Sequence, residues 1–157
     1  MSVYEYKCVV QRVVDGDTVD VDIDLGFGTW LMNRRIRITG IDTPECRTRD
    51  DEEKRFGLLA KEYVTYMIGD ECILYCETWE RGKFGRILGD LSVGEDEHGC
   101  IWLTDCLLHN HLAVPYQGQS KQAIKEAHLA NRTMLRERDF ELTYDFENED
   151  EEDELGL

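Results

Sequence analysis

The chain has 157 residues, with 34 Asp and Glu against 18 Lys and Arg, a formal net charge of −16. That length fits one domain, able to bury roughly 68–70% of the surface its unfolded form exposes, and 41% apolar residues place it among globular proteins. So negative a body repels polyphosphate at long range, which counts against a general nucleic-acid coat and against a peripheral protein that reads anionic lipid. No stretch approaches the roughly 20 apolar residues of a membrane span, and the N-terminus lacks the basic-then-apolar order of a secretory signal, so a cytoplasmic monomer with no membrane contact is expected. Six cysteines, at 8, 46, 72, 76, 100 and 106, contain no C-x-x-C and read as reduced, small apolar fillers.

In chain order, Lys7–Thr43 reads as three strands. Val19, Val21, Ile23 and Leu25 alternate with Asp20, Asp22 and Asp24, which predicts one apolar and one solvated face, and Arg35-Ile-Arg-Ile-Thr-Gly-Ile41 alternates too. Phe56, Leu59, Ala60, Tyr63, Val64, Met67 and Ile68 recur at helical spacing, with Gly69-Asp70 as the stop. Cys72–Cys76, Arg86–Val93 and Cys100–Leu103 are strand-like, and Trp30, Trp79 and Trp102 fall in strand-like runs as core candidates. Thr104 or Asp105 is expected to cap a short helix through Leu112. Ser120 is expected to cap a last helix with an apolar stripe at Ile124, Ala127, Ala130 and Met134. Strands, one helix, more strands and final helices fit an α+β domain around a small antiparallel barrel, with 1–140 as the domain and 141–157 as a tail. The tail holds nine acids and no base, which leaves −7 for residues 1–140. It reads as a disordered solubilising end, or as an interaction tail for a protein partner or a mimic of a nucleic-acid backbone.

Chemistry-bearing residues fall in three segments: Val13-Val-Asp-Gly-Asp-Thr-Val19, Arg37-Ile-Thr-Gly-Ile-Asp-Thr-Pro-Glu45 and Arg81-Gly-Lys-Phe-Gly-Arg86. Asp15-Gly16-Asp17 alone is a strand-end turn in which Asp-Gly favours left-handed geometry. Pro44 fixes the relation of Asp42 to Glu45. Carboxylates and carbonyls are hard ligands for Ca²⁺ or Mg²⁺, so Asp17, Asp42 and the Thr43 carbonyl can share a cation, and Arg37 and Arg86 offer forked donors that match phosphate oxygens. The ordinary reading of the same residues is a proline turn at an edge strand with surface ion pairs. Cys106, His109 and His111 lie close in sequence, but at about 100° per helical residue the two histidines diverge, which argues against zinc.

On the Asp-Gly-Asp-Thr turn, the Arg-x4-Asp-Thr-Pro-Glu run and the Lys-Phe-Gly-Arg element, the chain resembles the staphylococcal (thermo)nuclease-like family over about residues 5–140. The resemblance implies an OB-type five-stranded antiparallel barrel with three helices and a Ca²⁺-dependent endonuclease that cleaves DNA and RNA with little sequence preference. It implies Asp17, Asp42 and Thr43 as metal ligands, Arg37, Glu45 and Arg86 as catalytic residues, and Lys83, Phe84 and Tyr116 as lining the substrate pocket. Phe84 stands where the family usually has tyrosine. The expectation from a different class is an inactive module of the same fold that docks a protein or nucleic-acid partner, with the acidic tail as interaction or autoinhibitory element.

Overall fold

The computed structural model describes residues 4–76 and 86–144. Trp79, Lys83, Phe84 and the tail beyond Tyr144 therefore lie outside the described residues. The chain runs β1 (Tyr4–Asp15), β2 (Thr18–Asp24), β3 (Trp30–Ile38), β4 (Ile41–Asp42), α1 (Asp51–Ile68), β5 (Glu71–Cys76), β6 (Ile87–Asp96), β7 (Gly99–Trp102), α2 (Leu103–His109), β8 (Val114–Pro115) and α3 (Lys121–Glu137).

Six strands form one sheet in the order β3-β2-β1-β5-β6-β7, and β4 pairs with β8 separately. The long β1 serves two neighbours in turn: Tyr4–Val9 pair with β5, and Cys8–Asp15 pair with β2. Register shifts at Val10/Arg12 and Val13/Asp15 bend it between these two jobs, because an unpaired extra residue raises local twist. The sheet curls until β6 reaches β3, where Ile36, Arg37 and Ile38 pair with Ile87, Leu88 and Gly89. That pairing is parallel and the sheet carries a sixth strand, so the α+β, OB-like and mostly antiparallel fold with three helices is the one expected, with one strand added.

The alternating apolar residues form the core. Val19, Val21, Ile23, Ile36, Ile38, Leu74 and Leu91 are fully buried, and Phe56, Ala60, Tyr63, Val64 and Ile68 of α1 close over them. Each buried aliphatic side chain contributes about 1.5–3 kcal/mol relative to exposure. Helix α1 begins where Asp50 accepts from the amides of Glu52 and Glu53, and ends at Gly69. Helix α2 starts one residue before the expected cap and ends at His109. Thr104 does not cap it, because its hydroxyl donates to Asp90 Oδ2 at 2.7 Å. Ser120 does cap α3, accepting from the Ala123 amide at 3.1 Å. Among the described residues, no helix is long and apolar enough to cross a membrane.

Three expectations fail locally. Asp20 and Asp22 are buried at 8% exposure, because Arg35 grips Asp20 through Nε (2.8 Å) and Nη2 (3.1 Å), while Gln11 and the Asn33 amide donate to Asp22. Trp30 is 43% exposed, whereas Trp102 packs edge-on to Tyr75. In α3, Ala130 and Met134 face solvent. The face turned inward carries Ile124, His128, Asn131, Arg132 and Leu135. The six cysteines are free, five of them buried.

Beyond α3 the chain is held down. Phe140 packs on Phe56, with the Arg55 guanidinium over its ring. Asn110 accepts from the Thr143 amide at 2.7 Å and donates to its carbonyl, which also accepts from the Tyr63 hydroxyl at 2.9 Å.

Candidate active site

The turn from β1 to β2 is Gly16-Asp17, and its conformation is set by crowding. The backbone at Gly16 is not left-handed, contrary to the expectation for Asp-Gly. A Cβ there would instead lie 2.9 Å from Ala60 Cβ, closer than real Cβ atoms sit, and a tight 3.0 Å from Thr43 Cγ2, so glycine lets this turn press against α1 and Thr43. Asp17 is thereby buried. Thr18 Oγ1 donates to its Oδ1 (2.9 Å), the Thr43 amide donates to its Oδ2 (3.2 Å), and its own carbonyl accepts from the Ile38 amide (2.8 Å).

Arg37 stands opposite Thr18 on β3, with its side chain folded back over the β3–β4 turn. Nη1 donates to the Ile38 carbonyl and Nη2 to the Ile41 carbonyl at 2.8 Å, while Nη2 lies 3.4 Å from Asp17 Oδ2 and 3.8 Å from Asp42 Oδ1. One guanidinium thus joins the two aspartates. Asp42 is fixed by the pairing of β4 with β8, and its Oδ2 meets His128 Nε2 at 2.7 Å.

The segment after Pro44 rests on α1 through a second glycine. A Cβ at Gly57 would fall on the Glu45 carbonyl, 2.6 Å from its carbon and 2.9 Å from the Cys46 amide nitrogen. Any larger residue would push Glu45 outward. The Glu45 carboxyl has its pKa raised above the usual carboxylate range, first by partial withdrawal from water and then by the negative charges of Asp15, Asp17, Asp42 and Glu53. Cys46, beside it, is held as a thiol: burial and a hydrogen bond to Asp15 push it up to about 12, so it is no nucleophile.

The structure therefore brings Asp17, Arg37, Asp42, Thr43 and Glu45 together. Arg86 lies half-buried immediately before β6, whose Ile87 and Leu88 pair with Ile36 and Arg37, so its backbone reaches the same end of the sheet. Tyr116 is exposed at 47%, and its amide donates to the Gly40 carbonyl at 2.9 Å beside Asp42. Lys83 and Phe84 lie outside the described residues. Among the described residues, no three His, Cys, Asp or Glu side chains close on one point, so an ion here would depend on two carboxylates plus backbone and water oxygens. The buried Thr43 Oγ1 has no hydrogen-bond partner, which leaves polar capacity at that spot.

Sequence reasoning missed His128 and Gly57. His128 was legible as the i+4 neighbour of Ile124 on one helical face, but a search for apolar stripes passes over it. Gly57 was a glycine inside a helical pattern, the kind of position that often marks close backbone approach.

A curled OB-like sheet carrying an arginine, two aspartates and a charge-crowded glutamate at one end defines an α+β protein of nuclease-like type. Residues 35–137 match the family described as staphylococcal nuclease homologue, and the chain belongs to that family. It is 30% identical over 94 residues to Endonuclease YhcR of Bacillus subtilis (strain 168), covering 55% of this chain and 7% of that protein. It is 27% identical over 89 residues to the Thermonuclease of Staphylococcus intermedius, covering 56% of this chain and 49% of that protein. With the Thermonuclease of Staphylococcus hyicus it shares 26% identity over 126 residues, covering 78% and 70%. The chain thus spans half or less of the first two of these relatives.

Proposed function

We propose that this chain is a Ca²⁺-dependent endonuclease that hydrolyses phosphodiester bonds of DNA and RNA with little sequence preference. The observation that carries the reading is the junction of Arg37 with both Asp17 and Asp42 beside Thr43, whose amide donates to Asp17. In this reading Asp17, Asp42 and the Thr43 carbonyl hold the cation, and these hard oxygen donors fit Ca²⁺. When bound, the cation would draw charge from a non-bridging phosphate oxygen.

The chain's own residues supply the rest. Arg37 and Arg86 offer planar forks to the phosphate, and their charge stabilises the extra negative charge of the transition state. Arg37 is already oriented by two carbonyls, so little is lost in ordering it. Glu45 would accept a proton from the water as its oxygen bonds to phosphorus and the bond from phosphorus to the departing ester oxygen breaks, that oxygen taking its proton from solvent. The Glu45 pKa lies above the usual carboxylate range, first through partial withdrawal from water and then through the neighbouring carboxylates, the direction a general base requires. By the family resemblance, Lys83, Phe84 and Tyr116 would contact the nucleotide. The acidic tail serves as a docking element for a protein partner.

The test is digestion of plasmid DNA and of long RNA by the full chain, with Ca²⁺ and with a chelator. Cleavage with Ca²⁺, its loss with chelator and its loss in Asp42→Ala are expected. A wild-type chain that binds nucleic acid without cutting it under any divalent cation would replace the enzyme with a binding module.

A further inference from the structure

His128 has no place in the site as read from sequence, yet it makes one of the shortest polar contacts there. Its Nε2 is 2.7 Å from Asp42 Oδ2, and its side chain is only 12% exposed. The two oxygens of Asp42 have different company: Oδ2 meets the imidazole, while Oδ1 lies 3.8 Å from Arg37 Nη2, the same nitrogen that approaches Asp17. The ring sits on a helix held at several points. Asn131 donates to the Ala113 carbonyl at 3.0 Å, next to β8, and Arg132 and Arg136 both engage Glu52 on α1. The helix that carries His128 is therefore tied to the strand partner of β4 and to α1, and β4 carries Asp42.

We infer that His128 is a positioning residue for Asp42. It holds one carboxylate oxygen so that the other is presented to the space shared with Arg37, Asp17 and Thr43, where a divalent cation would bind. The inference rests on the reading of Asp42 as a ligand given under Proposed function. Its physical basis is that a ligand carboxylate free to rotate must be ordered at the moment of binding, whereas one held by an outer hydrogen bond is already ordered. A simple tie between α3 and β4 would need any donor to any acceptor. Here the acceptor is an oxygen of Asp42, one of the two carboxylates in the proposed ligand set.

The experiment is a calorimetric titration of Ca²⁺ into the full chain, for wild type, His128→Ala, His128→Phe and His128→Gln, with a chelator melt of each. His128→Ala is expected to weaken Ca²⁺ about 10–100-fold, the usual cost of losing an outer partner. His128→Phe keeps a ring of similar bulk without a donor and should weaken it likewise, which covers the case in which the alanine variant fails to fold. The amide of His128→Gln can still donate to Oδ2 and should restore affinity to within about threefold. Unchanged Ca²⁺ affinity in Ala and Phe, with lowered melting temperature, would make the contact a helix tie and overturn the inference. Gln as weak as Phe would overturn the donor role. A wild-type chain that takes up no Ca²⁺ at all would instead overturn the metal reading beneath it, a result distinct from the other two.

Discussion

Two sets of acidic side chains lie along β2 and its neighbours, and they keep different company. Asp20 is matched by the fork of Arg35 and approached by Arg12, and Asp22 accepts from an amide side chain and a backbone amide. Asp20 in turn raises the pKa of Arg35 through their hydrogen bond, the mark of a satisfied pair. A few residues away, Asp15, Asp17, Asp42, Glu45 and Glu53 crowd together. Arg37 touches two members of that cluster, Asp17 and Asp42, with its closest hydrogen bonds given to carbonyls, and His128 meets Asp42 from the other side. The second group differs in concentration rather than in lacking partners: several carboxylates share one neighbourhood, and their charges add to burial in raising the Glu45 pKa, a kind of perturbation that clusters at functional sites.

The sharpest way to break this contrast is Arg37→Lys. It keeps the positive charge beside Asp17 and Asp42 but loses the planar fork, so cleavage of long DNA is expected to fall about 10²–10³-fold with the melting temperature little changed. Near-wild-type turnover would move Arg37 into the structural set with Arg35. Next comes Gly57→Ala, which touches no charge. Its methyl must displace the Glu45–Cys46 peptide, so about 1–3 kcal/mol of stability should be lost to overpacking. Turnover is expected to fall on the order of 10²-fold, as small misplacements of a reacting group do. Denaturant melts and initial rates on one preparation separate the two losses.

The compensated set should respond the other way. Asp20→Ala removes a charge-assisted pair whose arginine is 45% exposed, so Arg35 can return to water. The expected loss is about 1–2 kcal/mol, seen as a melting point lowered by about 2–4 °C per kcal/mol, with cleavage rate unchanged. A loss of rate with stability intact would erase the distinction between the two groups.

How legible this was depended on where each residue's constraint arises. Asp17, Arg37, Asp42 and Glu45 sit within short strand-and-turn segments, so local spacing carries their geometry, and strand alternation likewise marked Val19, Val21, Ile36 and Ile38 as core. Asp20 and Asp22 were misjudged as solvated because the groups that bury them, Arg35, Gln11 and Asn33, come from the neighbouring strands β1 and β3 and from pairing register. The parallel contact of β3 with β6 joins residues about fifty apart, and no local pattern encodes it. The inward face of α3 escaped for a chemical reason: it packs through His128, Asn131 and Arg132, which have partners but no hydrophobic signature.

A small mirror image of the crowded carboxylates is built from bases. His111, just past α2, has a left-handed backbone (φ 59°), and Arg138 donates to its Nδ1 at 3.0 Å, which requires an unprotonated nitrogen. Burial, then Arg138, then His109 lower its pKa below 6.5. A base whose folded pKa is depressed binds protons more readily when unfolded. Its neutral form therefore contributes stability that is whole above about pH 6.5 and drains as pH falls toward the folded value, by linkage. Asparagine tolerates the left-handed backbone and cannot titrate, so His111→Asn should melt at a flatter temperature than wild type between pH 7 and pH 5. The carboxylate cluster is untouched by this change, so cleavage at neutral pH should stay as it was. Parallel pH profiles for the two proteins would show that the contact with Arg138 imposes no cost on protonation, and that crowding of like charge in this fold is confined to its acidic end.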